Sequence, residues 1–264
     1  MPADTARFDG LYNVQLAGLT VAFDHAGVGM VAGDGDSLVV TLFPPGAENV
    51  TFRGTVRRGD GTVTVLESSG VESDFGFEVV AEANALQFGD QLRITGTVRE
   101  SDDHPIGLFP AFRFEMRRHL GARSDRAAGA WRFAFSESPG TCQCASTAQL
   151  LLDVADDGRG STVATQEFDE EGQQVGFFHA GSALVSPEGR VRLQMPYGTP
   201  NEEHCEFQSI PLQPAPPCSV TVTGTLHDHE GAGTVLLREP LLGIPFGGAR
   251  AWSAIQATGR LGMD

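Results

Sequence analysis

Apolar and polar residues alternate along much of this chain, as they do in β-strands that bury one face. In AFRFEMRR (111–118) the apolar residues Phe112, Phe114 and Met116 alternate with charged residues, and RVRLQM (190–195) repeats the pattern. Because side chains two positions apart on a strand share a face, this period predicts half-buried antiparallel strands. The 33 glycines and 15 prolines interrupt the pattern at short intervals, which favours many short strands over long helices.

Similar patterns predict strands over most of the chain. Besides the two segments above, strands are predicted at 10–16, 19–24, 36–43, 49–57, 61–67, 75–82, 92–98, 130–136, 147–155, 161–168, 173–181, 220–226, 232–239 and 249–257. Asp60 and Gly61 separate two of these strands, and an Asp-Gly pair in that position is typical of a tight hairpin turn.

One short pattern occurs three times, as VTFRGTV (50–56), LRITGTV (92–98) and VTVTGTL (220–226). In each copy the glycine falls on the same face as the apolar residues. A glycine inside a strand usually marks a bend or a close backbone approach, as when a sheet coils into a barrel. The pattern therefore predicts sheets that close on themselves.

A second repeat divides the chain in two. Gly10-Leu11-Tyr12 opens the first half and Gly129-Ala130-Trp131 opens the second, and the polar segment RRHLGARSDRAAG (117–129) between them has no strand period. We predict an all-β protein with domains at 8–119 and 127–262, each a run of about eight strands. Two consecutive antiparallel barrels are the leading fold, and two β-sandwiches are the alternative.

The Gly-x-aromatic opening of an eight-stranded antiparallel barrel resembles the lipocalin/calycin superfamily. In that family the aromatic residue plugs the base of the barrel, and an arginine near the last strand packs across it. The resemblance assigns the plug to Tyr12 and Trp131. It assigns the arginine to Arg117 or Arg118 in the first half and to Arg260 in the second.

The first half also resembles the small lipocalin-like negative regulators of bacterial type III secretion. The likeness rests on FDGLYNV (8–14), VTFRGTV and LRITGTV, and it implies a regulatory protein-interaction module. Other duplicated lipocalin-like chains include bacterial hydratases and natural-product cyclases, which implies an enzyme instead. Likeness at the level of fold does not decide between these functions.

The charge of the chain excludes several function classes. The formal net charge is −16, and all 18 basic residues are arginine. Nucleic acid and anionic membrane surfaces both attract basic patches, so neither is expected as a partner. Without lysine, catalysis through a side-chain Schiff base is excluded.

The start of the chain favours a cytoplasmic protein. MPADTARFDG has neither the basic nor the apolar region of a signal peptide, and no apolar run is long enough to span a bilayer. A chain from which a signal had been removed would look the same, so secretion is the alternative.

All four cysteines lie in the second half. Cys142 and Cys144 are two apart, so on a strand their sulfurs would face the same side, and each could pair with Cys205 or Cys218. Four thiolates, or three with His204, could instead bind zinc. Unlinked thiols, disulfides and a metal site all remain open, and a structural role is expected.

A second candidate metal site is LHDHEG (226–231), where His227 and His229 would share a face of a strand. The segment ends a strand and enters a glycine-containing turn. Turn tips are polar for ordinary reasons, so a solvated turn is the preferred interpretation. No metal or cofactor is predicted.

The segment VGFFHAGS (175–182) carries the main functional hypothesis. Alternation puts Val175, Phe177 and His179 on one face, and if that face is the barrel interior, His179 is a polar group in an apolar cavity. A core histidine bonded to a backbone carbonyl is the structural alternative.

We predict that the protein binds a small, largely apolar molecule in a barrel, because small antiparallel barrels hold one small ligand at most. The candidate ligand-binding residues are Phe177, Phe178 and Trp131. The alternatives are a cofactor-independent cyclase, isomerase or hydratase, and a regulatory interaction module. For an enzyme, the candidates are His179 with Tyr12 or Tyr197 as hydrogen-bond donors. A homodimer is compatible with each of these functions.

Overall fold

The computed structural model describes part of the chain, and its contacts divide the chain into two compact units. The described residues are 5–34, 37–44, 49–59, 62–73, 79–102, 111–121, 127–139, 146, 148–198, 218–238 and 245–257. The first unit is Met1–Ala122 and the second is Arg123–Asp264.

In the first unit the part of the chain that the structure describes forms an eight-stranded antiparallel meander, preceded by a short 3₁₀ helix, Ala6–Phe8. Its strands are β1 (Gly10–Gly18), β2 (Asp24–Asp34), β3 (Ser37–Leu42), β4 (Val50–Gly59), β5 (Thr62–Ser73), β6 (Val79–Phe88), β7 (Gln91–Glu100) and β8 (Phe112–His119). Each strand pairs with the next from β1 to β5 and from β6 to β8, and β8 pairs back onto β1. The two strands at the ends of this order, β5 and β6, lie side by side, so the sheet rolls into a barrel.

The described residues of the second unit form ten strands, of which eight make a closed ring. They are β9 (Gly129–Phe135), β10 (Gln149–Val154), β11 (Arg159–Thr162), β12 (Thr165–Phe168), β13 (Gln174–Phe178), β14 (Ser182–Val185), β15 (Arg190–Gly198), β16 (Cys218–His227), β17 (Glu230–Arg238) and β18 (Pro245–Gln256). The ring runs β9-β10-β11-β14-β15-β16-β17-β18 and returns to β9. The hairpin β12–β13 lies outside this ring and joins it through the pairing of β13 with β15. Two consecutive antiparallel barrels are therefore confirmed as the fold.

The alternating residues fill the interiors as predicted. Phe112, Phe114 and Met116 are buried in the first barrel, and the apolar residues of RVRLQM are buried in the second. Each barrel has its own continuous apolar cluster. Burial of these side chains is the main stabilising contribution that the sequence provides.

Tyr12 is fully buried in the first barrel and lies next to an arginine. Its hydroxyl donates to the carbonyl oxygen of Phe8 at 2.7 Å, and the Arg118 guanidinium lies 5.9 Å from the centre of its ring. Gly10 has a φ of 131°, and a Cβ there would lie 2.6 Å from Nη1 of Arg118. Glycine is therefore required for both the backbone conformation and the space that Arg118 occupies.

The second barrel repeats this arrangement with different side chains. Gly129 has a φ of 114°, and the indole Nε1 of Trp131 donates to the carbonyl oxygen of Ala127 at 2.7 Å. As with Tyr12, the acceptor lies four residues before the aromatic residue. Gln256 donates to the carbonyl oxygen of Ala128 at 2.7 Å beside Gly129. Arg260 lies outside the described residues.

The glycines of the repeated motif lie where the backbone passes close to a neighbouring strand. A Cβ on Gly96 would lie 2.2 Å from the carbonyl oxygen of Glu82 and 2.8 Å from the ring of Phe114. A Cβ on Gly224 would lie 2.2 Å from the carbonyl oxygen of Ala232. The predicted close approach is confirmed at both positions, and at Gly54 the pairing of β4 with β5 shifts register.

The strand predicted at 19–24 is wrong. Residues 19–23 form a turn in which Leu19 and Val21 are exposed, and the strand that follows is β2. Its glycine-rich sequence hid it, because glycine is unfavourable in strands. Gly29 is nevertheless needed there, since a Cβ would lie 2.6 Å from Val14. The predicted turn at 60–61 lies outside the described residues, but β4 and β5 pair up to Gly59 and Thr62 on either side of it.

Candidate functional site

A fully buried carboxylate marks one end of the second barrel. Glu167 in β12 has no exposed surface. Its Oε2 accepts hydrogen bonds from the Tyr197 hydroxyl at 2.7 Å and the Ser138 hydroxyl at 3.0 Å. Its Oε1 accepts one from Ser146 at 2.6 Å. A carboxylate is costly to bury, and hydroxyl donors offset part of that cost. We call Glu167, Tyr197, Ser138 and Ser146 the Glu167 cluster.

The sheet leaves room for this cluster by placing a glycine opposite the carboxylate. Glu167 pairs with Gly176 of β13 just before a register shift in the hairpin. A Cβ on Gly176 would lie 2.4 Å from Oε2 of Glu167 and 2.3 Å from the Tyr197 hydroxyl. The absence of a side chain on Gly176 therefore leaves the space in which the Glu167 carboxyl group and the Tyr197 hydroxyl meet.

Aromatic rings pack against the cluster. The ring of Phe178 is stacked on Phe135 with 5.2 Å between centroids, and it lies 4.9 Å from the ring of Tyr197. All three residues are buried. Strand β9 runs from Trp131 to Phe135, a rise of about 13 Å. The cluster therefore lies towards the end of the barrel opposite Trp131, and the interior combines aromatic surface with one carboxylate.

His179 does not face this interior. Alternation along β13 holds, but the buried face carries Gly176 and Phe178, while Phe177 and His179 lie half-buried on the other face. The expected inward orientation of His179 is therefore wrong. Its backbone N–H donates to the carbonyl oxygen of Pro196 at 2.9 Å, its ring lies edge-on to Phe177, and burial lowers its pKa.

The structure brings some of the predicted residues together and separates others. Tyr197 and Phe178 meet at the Glu167 cluster, whereas Trp131 belongs to the opposite end of the same barrel. Tyr12 lies in the first unit, where burial raises the pKa of its hydroxyl. The sequence analysis missed Glu167, Ser138 and Ser146. The sequence carries no local signal for Glu167, because its pattern does not show which face of β12 is buried.

The cysteines fit the disulfide hypothesis at the position that the structure describes. Cys218 is buried and disulfide-bonded. A sulfur in a disulfide is not a thiolate, so a zinc site made by all four cysteines is wrong for this structure. Cys142, Cys144 and Cys205 lie outside the described residues.

The second candidate metal site is a hairpin turn. Asp228 and His229 have positive φ angles of 47° and 74° between β16 and β17. The His227 ring pairs with Asp228 at 2.7 Å, and the ring of His229 contacts Gln256. Among the described residues, no group of histidine, cysteine, aspartate and glutamate side chains could hold a metal ion.

Comparisons with known proteins do not identify a family. No protein-family model and no curated protein matches the chain. One similar solved structure is that of a Bacteroides fragilis protein named "putative outer membrane protein", with 12% identity over 95% of this chain and 98% of that one. The TM-score is 0.28, which is too low to support an argument about fold or function. In the described part of the chain, no helix is long and apolar enough to cross a membrane.

Proposed function

We propose that this protein binds a small, largely apolar molecule at the end of the second barrel that carries the Glu167 cluster. A barrel fold suits a ligand-binding role in general. The observation that carries the proposal is the buried carboxylate of Glu167 beside the stacked rings of Phe135 and Phe178. A core built only for stability gains little from a buried carboxyl group, whereas a binding site uses one to orient its ligand.

The Gly-x-aromatic arrangement supports a lipocalin-like interpretation of both barrels. Tyr12 under Arg118 matches the plug and arginine that the resemblance implies. In the second barrel Trp131 makes the corresponding hydrogen bond, and Gln256 lies beside Gly129. On this proposal the Trp131 end is the closed base, and the end that carries the Glu167 cluster receives the ligand.

A neutral apolar probe with one N–H donor, N-phenyl-1-naphthylamine, tests the proposal in the intact chain. Both tryptophans, Trp131 and Trp252, lie in the second barrel, so energy transfer from them to the probe reports binding there. We expect saturable transfer in the wild type. Glu167→Gln should weaken the affinity about three- to tenfold, because a charge-assisted hydrogen bond becomes a neutral one.

The matched control is Glu188→Gln, the same substitution at an exposed turn of the same barrel. It should bind the probe as the wild type does. Absence of saturable transfer, or equal affinities for Glu167→Gln and Glu188→Gln, would contradict the proposal. Urea unfolding of each variant shows whether a loss of binding reflects a loss of fold.

A catalytic role is the second candidate, and the 2.7 Å hydrogen bond between Glu167 and Tyr197 favours it. A buried carboxylate and phenol in contact can act as acid and base for an isomerisation or a hydration. Molecules extracted from purified wild type and Glu167→Gln protein can be compared by mass spectrometry and chromatography. A chemically different molecule in the variant supports catalysis, and the same molecule in both supports binding alone.

We also propose that the protein works in an oxidising compartment, which is the secretion alternative of the sequence analysis. The disulfide at Cys218 supports this, because disulfides are rare where thiols are kept reduced. Alkylation of the protein in intact cells of its natural source, followed by mass spectrometry, tests it. A Cys218 thiol that alkylates without prior reduction would contradict the proposal.

A further inference from the structure

A groove on the outside of the first barrel is a second candidate binding site, independent of the Glu167 cluster. It has a volume of about 850 Å³ and crosses the outer face of β6, β7, β8 and β1. That volume is within the range of small-molecule sites. We call it the outer groove, and it is lined mainly by outward-pointing side chains of these four strands.

The glycine of the repeated pattern LRITGTV (92–98) explains why this face is concave. Gly96 lies between Thr95 and Thr97 in β7 and points inwards, where only glycine fits against the carbonyl oxygen of Glu82 and the ring of Phe114. The strand is therefore drawn towards the barrel axis at this point. The two threonines on its outer face are short, so they form a floor between the longer side chains of β6 and β8.

Two of the four charged residues that line the outer groove, Arg93 and Glu115, are already paired with each other. Glu115 forms one ion pair with Arg93 at 2.5 Å and another with Arg117 at 2.7 Å. The Arg117 guanidinium lowers the pKa of Glu115. These ion pairs hold the side chains at one end of the groove in place. The Glu115 carboxylate already has two cationic partners and does not need a third.

Two opposite charges remain without an ion pair among the described residues, and they lie on one row across the sheet. Glu82 of β6 pairs with Thr97 of β7, Thr97 pairs with Arg113 of β8, and Arg113 pairs with Ala17 of β1. Glu82 and Arg113 are both exposed and are two strands apart, roughly 9.6 Å between Cα atoms. The Thr97 hydroxyl lies between them.

We propose that the outer groove binds a small zwitterion, a free α-amino acid, with its ammonium group on Glu82 and its carboxylate on Arg113. An α-amino acid holds its ammonium nitrogen within about 3 Å of a carboxylate oxygen. A charge-assisted hydrogen bond at each end adds about 2.8 Å, so the Glu82 carboxylate and the Arg113 guanidinium would lie roughly 8–9 Å apart around the bound molecule. Cα atoms about 9.6 Å apart allow this separation when the two side chains extend side by side from the sheet.

The neighbouring row supplies contacts for the amino-acid side chain. Asn84, Thr95, Glu115 and Gln15 pair in sequence across the same four strands, one step along the groove. Amide and hydroxyl groups of this row can donate and accept hydrogen bonds, and the row has no aromatic or large apolar residue. The outer groove therefore suits a small polar side chain better than a large apolar one.

Isothermal titration calorimetry of the full chain with glycine and L-serine tests the proposal. N-acetylglycine lacks the ammonium group and glycinamide lacks the carboxylate. We expect glycine to bind about tenfold more tightly than either of these, because each lacks one charge-assisted contact. In Arg113→Gln, glycine and glycinamide should bind equally weakly. In Glu82→Gln, glycine and N-acetylglycine should bind with equally weak affinity.

The control is Arg99→Gln, which removes an exposed arginine from β7. The guanidinium of Arg99 pairs with Asp102 at 2.9 Å, outside the groove. Its affinity for glycine should equal that of the wild type. Exposed substitutions of this kind rarely unfold a protein, and circular dichroism melting of each variant checks this. The proposal is overturned by no heat of binding for either amino acid at millimolar concentration, or by wild-type affinity in Glu82→Gln and Arg113→Gln.

Discussion

Replacing Gly96 by alanine tests how closely β7 approaches β6 in the first barrel. The new Cβ would lie 2.2 Å from the carbonyl oxygen of Glu82 and 2.8 Å from the ring of Phe114. The backbone conformation of Gly96 is open to other residues, since its φ is not in the left-handed region. The effect is therefore purely steric, and a backbone oxygen cannot move aside without its strand.

The expected loss of stability is about 2 kcal/mol. Overpacking a filled site costs typically 1–3 kcal/mol, and Gly96 belongs at the upper end of that range because the strand that carries the Glu82 carbonyl must shift. Alanine also restricts the unfolded chain and recovers about 0.4–1 kcal/mol of that. With a urea dependence of about 2 kcal/mol per molar, the midpoint of the first barrel should fall by about 1 M.

Gly27→Ala is the matched control, because Gly27 lies in β2 of the same barrel and also has an unstrained backbone. Its Cβ would meet only the flexible ring of His25, at 3.1 Å. The expected change in stability is within about 0.5 kcal/mol of zero. Far-UV circular dichroism follows both barrels in urea, while tryptophan fluorescence follows only the second, since both tryptophans lie there.

Only the circular dichroism transition of the first barrel should move in Gly96→Ala. Equal midpoints for Gly96→Ala and Gly27→Ala would refute the close approach at Gly96. A parallel shift of the tryptophan transition would show instead that the two barrels unfold together.

Two further predictions concern the second barrel. Trp131→Ala should destabilise it by about 3–5 kcal/mol, as deletions of large buried aromatic residues do. Trp131→Phe should cost less, because it removes the hydrogen bond to Ala127 but only part of the buried surface. An unchanged urea midpoint for Trp131→Ala would contradict the buried position of Trp131. Burial lowers the pKa of His179, so the unfolded chain binds a proton at this residue more readily than the folded chain does. The stability that depends on a neutral His179 is therefore complete above the ordinary pKa of 6.5 and is lost as the pH falls below it. His179→Gln should therefore lose less stability than the wild type between about pH 7 and pH 5. Equal shifts of the urea midpoint in both proteins over that range would contradict a lowered pKa of His179.

The buried carboxylate could not be located from the sequence, because two strands change phase. Thr162 in β11 and Glu167 in β12 are both buried although they are five residues apart, which one continuous strand does not allow. The break at 163–164 reverses the inward face. Across the sheet, Phe178 in β13 and Ala183 in β14 show the same reversal. The sequence shows a continuous strand pattern, so it cannot reveal which face is inward beyond the break.

The same reversal explains the error at His179. Alternation correctly separated His179 from Phe178, but it could not decide which of the two faces was buried. That choice depends on how β13 pairs with β15, where Phe178 lies opposite Tyr197. Only tertiary pairing supplies this information, since either face of a short apolar strand can be buried.

The sequence by itself determined the all-β class, the two barrels and the positions of the two Gly-x-aromatic openings. Each of these follows from local properties: the two-residue period of strands, the backbone freedom of glycine and the polar composition of the segment between the barrels. The tertiary structure alone decided which side chains meet. Ser138 and Tyr197 reach Glu167 from 29 and 30 residues away along the chain. Contacts of that kind depend on strand register and barrel closure, which no local pattern encodes.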